Sequence, residues 1–327
     1  MLSVSRRSRR TRTLLTGLLV AVLSGPPLAG VARAEVHYVP WSAVLPGWTD
    51  EYVPSSDNDC VAGRQVCVKH TVKELSRVLQ VTGQSCSHNA VFALAYTRIT
   101  QTYAWATEVP GYFDDVPFAN HQAAVFARYY TDAWSNWRAG KRAAVPRAWL
   151  TAFDASAAGT VTGTGDLLLG ISAHINRDLP YVLAAVGLVA PDGTSRKRDF
   201  DKVEHVLAAA VRALTVEAAH RIDPAMDDAQ DPLDVVHSLV IQVVSGAREN
   251  AWRNAEALVS APTPEARALV EAKIERDANA AAQAILLAQR YLPPLTSPRS
   301  RDAHCAAHNG DAAPEPYPFG SPAAYGS

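Results

Sequence analysis

His174 and Asp178 are the residues with the clearest potential for chemistry, because they lie four positions apart within the apolar stretch 165–188. Residues at this spacing share one face of a helix, so both side chains interrupt an otherwise apolar stripe. Such a pair can converge on one metal ion. A buried, ionised carboxylate is costly without a partner. The sequence therefore predicts that Asp178 either shares a metal with His174 or pairs with an arginine.

Two further groups could add metal ligands. Asp201 and His205 are again four apart, on the next predicted helix, and antiparallel packing of the two helices could bring both pairs together. Taken alone, this second pair also fits an ordinary surface contact. Asp115 precedes a predicted helix and His121 lies in its first turn. Asp115 could instead cap that helix, and His121 could face solvent.

Two arginines could act beside the candidate metal. Arg177 lies between the members of the first pair, and Arg248 occurs in the polar cluster "SGARENAWRNAEAL". Either guanidinium could orient an anionic substrate. Arg248 could equally be the cation that Asp178 needs in the absence of a metal. Both interpretations stay open at this level.

These side chains must be positioned by helices. Alanine, leucine and valine with polar residues at turn spacing predict helices over 70–82, 88–107, 118–139, 144–154, 165–189, 199–220, 233–259 and 264–291. Alternating β-branched stretches are almost absent. We therefore predict an all-α, single-domain, multi-helix bundle over residues 69–292, in which 165–189 is a long central helix. Pro180 predicts a kink in that helix, since proline removes an internal hydrogen bond.

The first 34 residues read as a secretory signal peptide, with early arginines, a short apolar run and the ending Ala32-Arg33-Ala34. "SRRTRTLL" partly resembles a twin-arginine signal. We predict a secreted protein with no transmembrane segment after cleavage. The remaining residues include 25 basic and 32 acidic ones, a formal charge of −7. This balance gives no strong signal for nucleic-acid binding.

Four cysteines in an exported chain predict disulfides. Of the three possible pairings we favour Cys60 with Cys67, closing a short loop, and Cys86 with Cys305. Residues 35–68 lack periodicity and are predicted to form an irregular arm. Residues 293–327 are rich in proline and are predicted to be an extended or disordered tail, tethered at Cys305.

The segment "LLLGISAHINRDLP" and the later "FDKVEHV" resemble the zinc-dependent phospholipase C and single-strand-specific nuclease superfamily, whose members are secreted and all-α. The resemblance implies a zinc site that includes His174 and Asp178. Ala184 stands where that superfamily has another histidine, and Glu35 stands where it has an N-terminal ligand, so one or two ions are implied. The first phrase also resembles a family of exported actinobacterial proteins with no assigned function.

The predicted function is that of an exported, metal-dependent hydrolase of phosphate esters that acts on a small-molecule or lipid substrate. Zinc would be held by His174, Asp178, Asp201, His205, His121 and Asp115, and a metal-bound water would attack the ester. The alternative is a non-catalytic binding or structural protein with a buried His/Asp/Arg network. A third interpretation, a terpene-synthase-like enzyme, depends on "DDVPF" at Asp114 and "DDAQD" at Asp227.

Overall fold

Helices provide nearly all the regular structure, as the turn-spaced apolar residues predict. The computed structural model describes residues 50–226 and 235–315, and side chains for all of these except 235–240. Within these ranges there is no strand, and extended pairing is limited to two isolated bridges, Val161 with Arg290 and Val189 with Ser195. The prediction of an all-α, single-domain fold is confirmed.

Each of the eight predicted helices is present, with ends shifted by a few residues. In chain order the helices are α1 (Gln65–Gln84), α2 (Ala90–Ala106), α3 (Val116–Arg138), α4 (Arg147–Ala157), α5 (Gly163–Ser172), α6 (Leu179–Val186), α7 (Lys197–Arg221), α8 (Val235–Ser260), α9 (Pro264–Ala288) and α10 (Arg299–His308). A π-helical turn, Ala173–Asp178, joins α5 to α6 without a break. The predicted long central helix is therefore α5, this π-turn and α6.

Local chemistry explains where several helices begin. The Asp115 carboxylate accepts a hydrogen bond from the backbone amide of Phe118, which caps α3. Thr263 caps α9 in the same way through the amide of Ala266, and Pro264 follows it at the first helical position.

The central segment is enclosed by the other helices. The π-turn packs against α9, α8, α3 and α4, and α6 packs closely against α8. On one side of it lies an aromatic core that includes Phe92, Tyr130 and Trp149, all buried. The charged residues of the π-turn consequently lie in the interior of the bundle, where each one needs a partner.

The N-terminal part of the chain is only partly described. The signal segment and the first part of the predicted arm, through residue 49, lie outside the described residues. From residue 50 the arm runs in turns to α1, and a disulfide joins Cys60 to Cys67. None of the described helices is long and apolar enough to cross a membrane.

The tail differs from its prediction, because residues 299–308 form α10 where an extended chain was expected. The predicted disulfide between Cys86 and Cys305 fastens this helix to the loop before α2. A buried ion pair also holds this helix, because Arg301 donates a hydrogen bond to the Asp166 carboxylate at 2.6 Å. Burial raises the pKa of Asp166, although Arg301 opposes the shift.

Candidate functional site

The central segment changes its winding at the residues that carry charge. Within Ala173–Asp178 the hydrogen bonds span five residues instead of four, and the amide of Leu179 donates to the carbonyl of His174. Pro180 then follows as the second residue of α6 and contributes no N–H to the hydrogen-bond ladder. The sequence predicted an irregularity at Pro180, and the structure shows it as a π-turn one turn earlier. Such turns are frequent at functional sites.

Asp178 is completely buried, and both of its oxygens already accept hydrogen bonds. Arg177 donates through Nη1 to Oδ1 at 3.1 Å. Trp149 of α4 donates through its indole nitrogen to Oδ2 at 2.8 Å, and the same oxygen lies 3.2 Å from Nδ1 of His174. The partner that Asp178 needs is therefore an arginine, namely Arg177, which directly precedes it in the chain.

Arg177 joins the π-turn to α9. Its Nε donates to Glu275 at 2.9 Å, and its guanidinium carbon lies 4.8 Å from the centre of the Tyr181 ring. Burial works against the charge of Arg177, but the carboxylates of Glu275 and Asp178 outweigh burial and raise its pKa. One buried cation thus serves two buried carboxylates.

His174 is held as a neutral imidazole. Burial lowers its pKa, and the opposing effect of the Asp178 carboxylate is smaller. Because an ionised carboxylate only accepts hydrogen bonds, Nδ1 must carry the ring hydrogen that points to Asp178. Nε2 then carries a lone pair, and this buried atom has no hydrogen-bond partner.

Aromatic rings surround the imidazole. The Phe126 ring stacks on it with centroids 3.5 Å apart and planes within 5° of parallel, and Tyr96 meets it edge-on at 4.5 Å. Phe92 and Trp149 follow at 6.0 Å each. Gly170, one turn earlier, lets Phe92 come close, since a Cβ there would lie 2.3 Å from the Phe92 ring. This apolar enclosure accounts for the neutral state of His174.

The neutral state of His174 predicts a specific dependence of stability on pH. The folded chain holds the pKa of His174 below its usual value of 6.5, so the unfolded chain binds this proton first as the pH falls. The His174 contribution to the free energy of unfolding is therefore complete above that value. Below pH 6.5 this contribution declines, by at most about 1.4 kcal/mol per pH unit, until the pH reaches the pKa of His174 in the folded chain. Urea unfolding between pH 5 and pH 8 measures this slope.

The matched control for that measurement is His174→Gln, which removes the titrating group and keeps a donor for Asp178. Other buried groups also titrate: burial raises the pKa values of Asp50, Asp132 and Asp166. Their contributions cancel in the difference between wild type and variant. Equal slopes for the two proteins would show that His174 has no depressed pKa.

The second predicted ligand pair lies elsewhere. Asp201 is exposed on α7 and pairs with Lys197, one turn earlier. His205, one turn later, is also exposed. Helix α7 packs chiefly against α2. The structure therefore does not bring this pair to His174 and Asp178.

The third predicted group has other partners as well. Asp115 caps α3, as described above. His121 is fully buried, and its two ring nitrogens each lie 2.8 Å from a backbone carbonyl oxygen, of Cys60 and of Asp50. His121 thereby fastens the arm to α3, and neither nitrogen is free for a metal in this arrangement.

Arg248 is buried on α8 and donates to the carbonyl of Phe200 at 2.5 Å, with its guanidinium carbon 4.1 Å from the centre of the Phe200 ring. Burial lowers its pKa to about 10, so the group stays charged at neutral pH. The role of counter-ion to Asp178, considered for Arg248 from the sequence, is filled by Arg177.

The residues do not fit the predicted zinc centre. Among the described side chains, no three or more from His, Cys, Asp and Glu are arranged so that they could hold a metal ion. At the core pair, the Asp178 oxygens face N–H donors, and the Arg177 cation lies where a divalent ion would be repelled. The aspartates of "DDAQD", on which the terpene-synthase interpretation depends, lie outside the described residues.

The fold and this site define the class: an all-α helical protein whose interior holds a buried network of His, Asp, Arg and Glu. The family model "Family of unknown function (DUF5995)" matches residues 68–288, and the chain belongs to this family. No curated protein and no solved structure matches the chain significantly. The similarity to the zinc phospholipase C superfamily therefore stays a hypothesis from the sequence.

Proposed function

We propose that the protein is exported and works as a non-catalytic binding or structural protein, in which the network of His174, Asp178, Arg177 and Glu275 fixes the packing of the core. The observation that carries this proposal is the saturation of Asp178. Each of its oxygens accepts from an N–H donor, and the cation beside it belongs to the chain.

The network has the features of a structural element. It joins three separate parts of the chain, namely α4 through Trp149, the π-turn, and α9 through Glu275. All of its members are buried, so an incorrect arrangement of these helices would leave a charge unpaired in the interior. Networks of this kind favour one packing arrangement over its competitors. Two disulfides support the export proposal, because such bonds persist in oxidising compartments.

The second candidate is the metal-dependent hydrolysis of phosphate esters, with zinc at the core pair. The observation in its favour is Nε2 of His174, a buried ring nitrogen without a partner, on a π-turn. Zinc at Nε2 would lie on the side of the ring that faces away from Asp178, because Nδ1 is the nitrogen that faces this carboxylate. For Asp178 to become a ligand, it would have to exchange Trp149 or Arg177 for the ion. The first proposal needs no such exchange.

Metal content separates the two candidates. The exported chain and its His174→Ala variant are purified without added metal, and bound metal is measured by elemental analysis. We expect the two proteins to carry the same amount of metal and to lack activity on phosphodiesters and phospholipids. Zinc bound by wild type and lost from the variant would overturn the structural proposal.

Three controls accompany this comparison. Circular dichroism establishes that the His174→Ala variant is folded, and Asp178→Asn, which keeps an acceptor for Trp149, is tested beside it. His205 is exposed on α7, so the variant His205→Ala shows how far the loss of any one histidine lowers the metal content. Metal lost equally from all three variants would indicate non-specific binding and would leave the structural proposal standing.

A further inference from the structure

Arg301 of α10 enters the interior of the bundle from outside the range that the family model matches. That range, the family domain, spans residues 68–288, and α10 begins at Arg299. Arg301 is only 2% exposed, whereas its chain neighbours Ser300 and Asp302 are exposed. The tail therefore places a buried cation in a pocket whose acidic side chains belong to the family domain.

Two buried aspartates face the guanidinium of Arg301, namely Asp166 of α5 and Asp223, which follows α7. Nη1 of Arg301 donates to Oδ2 of Asp166 at 2.6 Å, and Nε lies 3.8 Å from Oδ2 of Asp223. Nη2 donates to the backbone carbonyl of His88 at 3.5 Å, and Tyr291 also lies beside the cation. Acceptors from separate parts of the chain thus surround one planar group.

Both carboxylates are oriented by donors of the family domain itself. The Ser156 hydroxyl donates to Oδ1 of Asp166 at 2.7 Å. The backbone amides of Gly163 and Ala225 donate to Oδ2 and Oδ1 of Asp223 at 3.2 and 3.1 Å. Glycine is needed at position 163, since a Cβ there would lie 2.5 Å from Oδ2 of Asp223. The acidic pocket is therefore preorganised by residues that α10 does not supply.

Arg301 does not use all that the pocket offers. Among the described residues, its buried Nε has no hydrogen-bond partner, and neither has Nδ1 of the buried His88. That imidazole nitrogen points into the pocket, 4.0 Å from Oδ2 of Asp166. The path of α10 thus holds the guanidinium short of a hydrogen bond with Asp223. A guanidinium that is free to shift could donate to both carboxylates at once.

We propose that this pocket is a guanidinium-binding site, that Arg301 is its built-in ligand, and that it accepts a guanidinium group from another molecule when Arg301 is withdrawn. A guanidinium carries five N–H donors in one plane, which suits acceptors arranged around it, whereas an ammonium presents its donors from one point. Two buried carboxylates without a cation are costly, so the emptied pocket favours a positively charged occupant. The site shares no residue with the network around Asp178, so the two proposals are tested separately.

The attachment of α10 controls access to the site. The disulfide between Cys86 and Cys305 ties the helix down four residues after Arg301, and the linker 289–298 is largely exposed. A tethered ligand has a high effective concentration, so a free guanidinium compound cannot compete while Arg301 is in place. The site must therefore be tested after the side chain of Arg301 has been removed.

Thermal unfolding of the full-length Arg301→Ala variant, with its disulfides intact, tests the proposal. For a dissociation constant of about 2 mM, about 20 mM methylguanidinium should raise its melting temperature by about 3 °C. Wild type should shift by less than about 0.5 °C, because its site is filled. Guanidinium ions denature proteins only near molar concentration. Methylammonium, which lacks the planar donors, should shift the variant by less than about 1 °C.

Matched variants show whether the pocket is responsible. Arg301→Ala/Asp166→Asn should lose the shift, because the carboxylate that pairs with the cation is gone. Arg299→Ala, which removes an exposed arginine of the same helix, should behave as wild type does. If Arg301→Ala is unfolded, methylguanidinium should restore its helical circular dichroism. No effect of methylguanidinium on Arg301→Ala, or an equal effect of methylammonium, would overturn the proposal.

A peptide distinguishes an arginine side chain from a small guanidinium compound as the ligand. A fluorescent peptide of residues 297–311, with Cys305→Ser, is titrated against the variant Cys86→Ser/Cys305→Ser/Arg301→Ala by anisotropy. Binding at least about tenfold tighter than that of methylguanidinium would assign the site to arginine in a polypeptide, and weaker binding would assign it to small guanidinium compounds. Equal binding of a peptide that also carries Arg301→Ala would contradict a guanidinium site.

Discussion

Arg177→Met is expected to lower the free energy of unfolding by about 3–5 kcal/mol, since it leaves the buried carboxylates of Asp178 and Glu275 without a cation. Methionine approximates the length of the arginine stem, so the loss of packing is small and the loss of charge dominates. Urea denaturation followed by circular dichroism measures the change. The midpoint should fall with little change in slope.

The matched control is Arg276→Met on α9, next to Glu275 in the chain. Arg276 is exposed and pairs with Asp277 at the surface, so its replacement should change stability by no more than about 0.5 kcal/mol. A triple variant, Arg177→Met with Asp178→Asn and Glu275→Gln, should recover part of the loss because no buried charge is left unpaired. A cost below about 1 kcal/mol for Arg177→Met would contradict the network described here.

The helices could be predicted from the sequence because each one carries its own signals. Periodic apolar residues gave the eight predicted helices, and α9 begins at Pro264, where the range 264–291 was predicted. The burial of His174 and Asp178 also followed from the apolar stripe that they interrupt. These features depend on residues close together in the chain, which one sequence can reveal.

The partners of Asp178 could only partly be predicted, because periodicity does not say which helices become neighbours. Glu275 lies about a hundred positions from Arg177, and Trp149 comes from α4. The sequence offered one weak signal for Glu275, an acidic residue directly after the buried Ile274 of α9. The pair Asp201 and His205 depended on an assumed packing of adjacent helices, and α7 packs chiefly against α2.

The helix in the tail was not predicted, because the proline-rich composition of this segment favours an extended chain. Prolines before and after it made residues 293–327 look extended, yet the ten residues of α10 contain no proline. Pro298 stands directly before α10, a position that tolerates proline. The buried Arg301 could not be recognised from its neighbours in the chain, since its partner Asp166 belongs to α5.

Removal of the disulfide between Cys86 and Cys305 is expected to cost more stability than removal of the other disulfide. The two bonds close chain segments with sequence separations of 219 and 7 residues. In the chain-entropy account of crosslinks, these lengths correspond to about 5 and about 2 kcal/mol. The variants Cys86→Ser/Cys305→Ser and Cys60→Ser/Cys67→Ser are compared by urea denaturation under the same conditions.

The comparison also tests how α10 is held. If the pair of Arg301 with Asp166 keeps α10 docked in the absence of the disulfide, unfolding of the Cys86→Ser/Cys305→Ser variant stays a single transition with a lower midpoint. If the disulfide alone holds α10, the helix is released first, and a protease then cleaves the tail of the folded variant at residues 293–311. Buried charge on both partners favours the first outcome, because release of α10 would expose Asp166 and Arg301 together and break their hydrogen bond.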